Sequence, residues 1–162
     1  MIPIQTLIAF FARNIEIIKM QTDGLSHEDS LIQLPFRANC LNWVVGHVLT
    51  NRRNIIQLLG EENPLPGVNL DHYERESDPI HGQEAGILPL EKLLDYLEAI
   101  QSILARLLEN ESVDSLQRLK PYRTNPERPL AYWLVFLYFH DTYHVGQTEL
   151  LRQAAGTDDK II

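Results

Sequence analysis

Two histidines four residues apart, His140 and His144, follow the apolar run Trp133, Leu134, Val135, Phe136, Leu137 and sit in the segment FHDTYHVGQTELL, 139–151. On an α-helix, positions i and i+4 share a face and lie about 6 Å apart along the axis, so both imidazoles point the same way. Helical phase sets them at the centre of an apolar stripe formed by Trp133, Phe136, Leu137, His140, His144, Leu151 and Ala155, and therefore toward an interior. Two neighbouring buried imidazoles left unpaired would each cost roughly 1–3 kcal/mol in desolvation. A metal ion removes that cost, because neutral imidazole is its commonest nitrogen ligand. A nearby hydroxyl or carbonyl for each ring is the other solution.

A divalent site needs a third ligand. His47 is the only other histidine inside a predicted helix and is the natural choice, although phase sets it on the flank of its apolar stripe. That position suits a site in an open mouth, and it also suits a plain surface histidine. His27, His72 and His81 fall in predicted loops. His72 and His81 flank Glu74, Glu76 and Asp78, which read as a solvated acidic loop. No Glu-x-x-His occurs, so the carboxylate di-iron arrangement has no support. His140-Asp141-x-x-His144 is close to the H-E-x-x-H of zinc proteases, but aspartate is one methylene shorter. Asp141 reads instead as a group behind the ligands or as a surface acid. Thr50 and Asn51, one turn after His47, read as ordinary helix polar positions. Gln147 reads as a side chain that orients a ligand. No residue is singled out as a general acid or base.

The elements that would position these residues are helical. Four segments carry helical periodicity. The first has Ile4, Leu7, Ile8, Phe11, Ile15 and Ile18 on one stripe and ends at Asp23–Gly24. The second runs from about Leu41 to Leu59, with Asn42 as N-cap and Gly60 after its end. The third carries Leu90, Leu93, Leu94, Leu97, Leu104 and Leu108, with Pro89 at its start. The fourth runs from about Pro129 to Ala155. Residues 61–87 read as a long irregular crossover, and 111–128 as a second connection with a short helical piece near Ser112–Leu119. No segment alternates strictly enough for a strand. Four helices, each with one apolar stripe, bury those stripes together as a bundle, and the long crossover lets the second and third run parallel.

The totals agree. A chain of 162 residues, 44% apolar and 22% charged, suits one domain over 1–162 with one core. Its longest apolar stretch, 131–139, is far shorter than the about 20 residues a membrane helix needs. The N-terminal segment reads as the first helix of a cytoplasmic protein. The lone Cys40 excludes an intrachain disulfide and reads as a small hydrophobe. A net charge of −8 argues against a nucleic-acid partner. The one basic pair, Arg52–Arg53, reads as a solvated helix face.

Trp43-x-x-Gly46-His47, together with His140-x-x-x-His144-x-Gly146-Gln147 and the entry Arg128-Pro129-Leu130, resembles the DinB-like family of metal-binding four-helix bundles. The resemblance implies an all-α, up-down-down-up bundle, a homodimer, and a divalent metal, zinc or nickel, held by His47, His140 and His144. Relatives in that family include enzymes that use bacillithiol or mycothiol for transfer or isomerisation. Three neutral nitrogen ligands leave open coordination positions, as catalytic sites do. An open position suits water, whose pKa falls toward ~7 beside a metal, or a thiolate. The expectation is a metal-dependent thiol S-transferase acting on a small electrophile, with no membrane or nucleic-acid partner. The alternatives are a dimeric metal-binding stress protein without turnover and a metal-dependent hydrolase. Phe10 and Ile17, off the main stripe of the first helix, and Gly146, which costs about 1 kcal/mol inside a helix, point to a dimer through the first or fourth helix.

Overall fold

The computed structural model describes residues 3–157 and 159. Most of them are helical. The elements are α1 (Ile4–Thr22), α2 (His27–Ser30), α3 (Leu41–Leu58), α4 (Leu90–Glu109), α5 (Val113–Leu116), strands β1 (Leu119–Tyr122) and β2 (Asn125–Pro129), and α6 (Leu130–Ala154), with a 3-10 turn at Asp71–Tyr73. Proline stands at the N-cap of α1, α4 and α6, where its missing N–H breaks no helical bond and its fixed φ starts the turn. Gly60, at φ +102, terminates α3.

The four long helices pack on one another, α1 and α3 each touching both α4 and α6. Side-chain contacts give the sense of each pair. Asn14 meets Thr142 and Arg152 meets Gln21, so α1 and α6 run together. Asn42 meets Leu88 and Arg52 meets Gln101, so α3 and α4 run together. Gln101 reaches Ile8 while Lys19 reaches Glu98, and Asn51 reaches Leu137 while His47 lies beside His144, so the other two pairs run in opposite senses.

Several sequence expectations need correction. Arg52 is not on a solvated face. It is fully buried at the centre of the packing, and its guanidinium touches all three other long helices. Nε pairs with Asp141 of α6, Nη1 donates to Gln101 of α4 at 2.7 Å, and Nη2 donates to the Phe11 carbonyl of α1 at 2.8 Å, with the group over the Phe11 ring. Asp141 is correspondingly no surface acid; it is fully buried between Arg52 and Asn51. Burial pushes its carboxyl up, and Arg52 pulls it back down. Asn42 lies inside α3 and is buried, Cys40 holding the N-cap position. Phe136 faces outward. The buried residues of α6 are Leu130, Trp133, Leu134, Leu137, Asp141, Val145, Thr148, Leu151 and Arg152, so Trp133, Leu137 and Leu151 of the expected stripe are inside, while Asp141, Val145 and Thr148 lie deeper than His140 and His144.

The second connection holds an antiparallel hairpin that the sequence pattern hides. Leu119 pairs with Pro129 and Tyr122 with Asn125 across a two-residue turn. Its strands carry Pro121, Pro126 and Pro129, residues that confine a strand to an edge, and its turn is Arg-Thr where Asn-Gly would be the usual signal. The hairpin docks on the start of α6: Trp133 Nε1 donates to the Lys120 carbonyl at 2.8 Å, and the Tyr122 and Trp133 rings lie 5.3 Å apart. The long crossover is irregular, as expected, yet sends Leu65, Leu70, Tyr73, Ile80 and Ile87 into the core. No helix of the described residues is long and apolar enough to cross a membrane.

Candidate metal centre

Helices α3 and α6 run in opposite senses, so His47 on one comes level with His140 and His144 on the other. One nitrogen of each ring lies within 4.8 Å of the other two, and these three form the only such group of histidine, cysteine or acidic residues among the described ones. His27 bonds to Gln83 and accepts from the Leu90 N–H, and so belongs to the start of α4. His72 and His81 stay in the crossover, apart from the cluster. The burial order is the reverse of the one helical phase suggests. His47 is 5% exposed, whereas His140 and His144 are half-buried beside the core line of α6.

Each ring is fixed differently. His47 Nδ1 donates to the Tyr73 carbonyl at 2.6 Å, and the ring stacks on Trp43 at 4.5 Å between centroids. Trp43 is itself held by a bond from Nε1 to Ser77. His144 Nδ1 donates to Gln147 Oε1 at 2.8 Å. Both Nε2 lone pairs are therefore free, which is how metal-binding histidines are ordinarily oriented. His140 Nδ1 is buried with no partner. An orphaned ring nitrogen beside two oriented imidazoles fits a cation, since burial without a partner is otherwise unfavourable.

Electrostatics keep the rings neutral. Burial pushes His47 down to about 4 against the raising effect of its bond to Tyr73. Burial, followed by the two other rings, pushes His140 down to about 4. His144 is also lowered, by burial first. Neutral imidazoles offer lone pairs at neutral pH.

The sequence signals explain part of this geometry. The ring of Tyr73 crosses α3 directly over Gly46, where a Cβ would lie 2.1 Å from Tyr73 Cδ1. Gly46 is thus the gap that lets Tyr73 approach and present its carbonyl to the adjacent His47. The Tyr73 hydroxyl donates to Asn42 at 3.0 Å and accepts from the Leu88 N–H at 2.8 Å, which ties the crossover down. Tyr73 was not anticipated, because a backbone acceptor leaves no signature in side-chain type. Gln147 does orient a histidine. Thr50 bonds to the Gly46 carbonyl of its own helix, and Asn51 is spent on Leu137 and Asp141. Cys40 is buried and its thiol pushed up by that burial, so it is inert. Both carboxylate oxygens of Asp141 are committed to Asn51 and Arg52, so it is not placed to act as the glutamate of a zinc protease does.

The cluster opens to a basin of about 710 Å³ that all three histidines line. A smaller polar cavity reaches His47 and His140 from the hairpin side. An apolar groove bordered by Leu34, Phe36, Tyr143 and Leu150 reaches His144 from the other.

A comparison with curated proteins returned no match. The family model described as MST, mycothiol-S-transferase, matches residues 6–156, which takes in all four long helices and the three histidines. The resemblance carried by Trp43-x-x-Gly46-His47 and His140-x-x-x-His144 is thereby borne out over nearly the full chain, which belongs to the mycothiol-S-transferase, DinB-like family.

Proposed function

We propose that the protein is a divalent-metal-dependent S-transferase that joins a low-molecular-weight thiol to a small electrophile. His47, His140 and His144 are the metal ligands, and zinc or nickel is the ion that suits three imidazoles. The observation that carries the reading is the convergence of three neutral rings, two with Nδ1 already committed and one with an unpartnered nitrogen, at the floor of an open basin. A bound divalent ion would favour the deprotonated sulfur of the thiol. The protein's own residues do the rest. Tyr73 and Gln147 hold two rings in one tautomer, and Trp43 walls the site.

The four long helices are read as an up-down-down-up bundle, supported by the sense of the contacts between each pair. A homodimer is supported by α6. Tyr132, Phe136, Phe139, Tyr143 and Leu150 are exposed, with Gly146 between the last two. Steps of 4, 3, 4, 3 and 4 along that line form the seam by which one helix packs on another, and a second copy of α6 across a twofold axis satisfies it.

Metal analysis and a thermal-shift screen test the reading together. One equivalent of metal per chain is expected, and the His140→Ala/His144→Ala double variant should lose it. A small thiol should stabilise the metal-loaded protein and not the metal-free one. A double variant that keeps its equivalent would refute the site. Ester hydrolysis in the absence of any thiol would point to a hydrolase instead.

A further inference from the structure

Nothing in its own chain accounts for Gly146. An added Cβ there would meet no atom of the described residues within 4 Å, in contrast to Gly46 under the Tyr73 ring. Yet glycine inside a helix costs about 1 kcal/mol relative to alanine. The space it leaves lies on the outer line of α6, between the exposed Tyr143 and Leu150. That line continues through Phe139, Phe136 and Tyr132 and holds no charged residue, in a chain of net charge −8.

Pairing two such lines leaves few choices. A parallel crossing sets Gly146 against the partner's Gly146, so one layer of the seam stays unfilled and its lining loses contacts. An antiparallel twofold at the level of residue 141 pairs Phe139 with the partner's Tyr143, Tyr132 with the partner's Leu150 and Phe136 with the partner's Gly146. Every large side chain then has a counterpart, and the gap takes a ring. Each knob of such a seam enters a hole of four residues. For Phe136 that hole is Tyr143, Gly146, Gln147 and Leu150 of the other copy. Tyr143, Gln147 and Leu150 also line the groove of about 360 Å³ that reaches His144, and Gln147 is the residue that holds His144 Nδ1.

We propose that two copies cross antiparallel through α6, and that Phe136 of each copy seats over Gly146 of the other and roofs the groove leading to His144. The proposal rests on the dimer read from α6 above. It adds the direction of the crossing, and it makes the apolar approach to each histidine cluster a product of both chains. Phe136 also borders the cavity at its own His47 and His140, so one ring adjoins both clusters.

Disulfide cross-linking of the metal-free protein tests the register, Cys40 being buried. Residues 136 and 146 lie about 15 Å apart along one helix, too far to bridge within a chain. Mild oxidation should give a covalent dimer from the Phe136→Cys/Gly146→Cys double variant and from neither single variant. A covalent dimer from Phe136→Cys alone would mean a parallel crossing and overturn the proposal, as would a double variant that does not cross-link. Gly146→Leu fills the hole from its own chain, so light scattering should show a monomer that keeps its equivalent of metal; a dimer of undiminished affinity would overturn the proposal. The roof has its own readout. Phe136 is about 16 Å along the helix from Gln147 of its own chain, so Phe136→Leu should shift the Gln147 side-chain amide signals in NMR spectra across the interface; unmoved signals would overturn the roofed groove. A monomeric unaltered protein would overturn this proposal and the dimer together, and leave the metal site and the S-transferase reading standing.

Discussion

Replacing Gly46 with alanine puts a methyl carbon 2.1 Å from Tyr73 Cδ1 and 2.5 Å from Cγ and Cε1. Neither partner gives way easily. Gly46 is in the middle of α3, and the Tyr73 ring is fully buried with its hydroxyl bonded at both ends. Overpacking of a core costs about 1–3 kcal/mol. Expelling the ring forfeits two hydrogen bonds at about 1 kcal/mol each, along with part of its burial. Against this, alanine is favoured over glycine in a helix by about 1 kcal/mol. The net destabilisation expected is about 2–4 kcal/mol, or a fall in Tm of roughly 4–16 °C for a chain of this size. Displacing Tyr73 also removes the acceptor of His47 Nδ1, and loss of such a partner weakens metal binding about 10–100-fold. Thermal denaturation of the metal-free protein and a competitive chelator titration read the two effects separately. The clash is isolated by repeating the substitution in a Tyr73→Ala background, where the same methyl meets empty space and should be neutral or stabilising. Equal cost in both backgrounds, or undiminished metal affinity in the single variant, would refute the role assigned to Gly46.

Other outcomes follow from the same geometry. Asp141→Asn leaves Arg52 buried without its counter-charge and should cost about 3–5 kcal/mol in urea denaturation. His47 and His140 titrate near 4 in the folded metal-free protein, against about 6.5 when unfolded. The unfolded chain thus binds more protons between those values. Their contribution is fully present above about pH 6.5 and is lost progressively as pH falls toward 4, at up to about 1.4 kcal/mol per pH unit for each ring. Denaturation curves across that window should slope accordingly and flatten when His47 is replaced by glutamine. Light scattering should give twice 18.7 kDa for the unaltered protein, and Phe139→Glu, at a site 67% exposed in the single chain, should give the monomer.

Periodicity located all four long helices to within one or two residues, because each buries a stripe at helical spacing. It failed where burial is polar. Asp141 and Arg52 occupy the centre of the packing, and a hydropathy pattern counts both as surface residues. That error set His140 and His144 too deep and turned Phe136 inward, while Trp133, Leu137 and Leu151 of the same stripe are buried as expected. The hairpin escaped notice for a related reason: a two-stranded edge ribbon carrying three prolines buries too little to alternate. The three clustered histidines were legible because i, i+4 spacing and a helix-borne third histidine need only local geometry. Tyr73 was not, since it contributes a carbonyl that any residue possesses.

The position of Asp141 between the two α6 histidines has a physical consequence. In a helix, side chains at 140 and 144 point about 100° and about 60° away from that at 141, so anchoring Asp141 fixes the direction of both rings. The anchor is Arg52, which also holds Phe11 and Gln101 and therefore registers α6 against all three other long helices. His47 is five residues before Arg52 on α3, about 140° round the same rigid segment. The pair thus sets the rotation of α6 and its height relative to α3, and those two quantities decide whether three imidazoles meet. A well-packed hydrophobic replacement, such as Arg52→Met with Asp141→Leu, can preserve or even raise stability, because buried ion pairs are costly to desolvate. It would not preserve the angular constraint, since apolar contacts have no direction. The double variant should therefore fold as stably as the original, yet bind metal less tightly and with a broadened ligand-field spectrum when loaded with cobalt. Unchanged affinity and an unchanged spectrum in a stable double variant would mean that the pair serves packing alone.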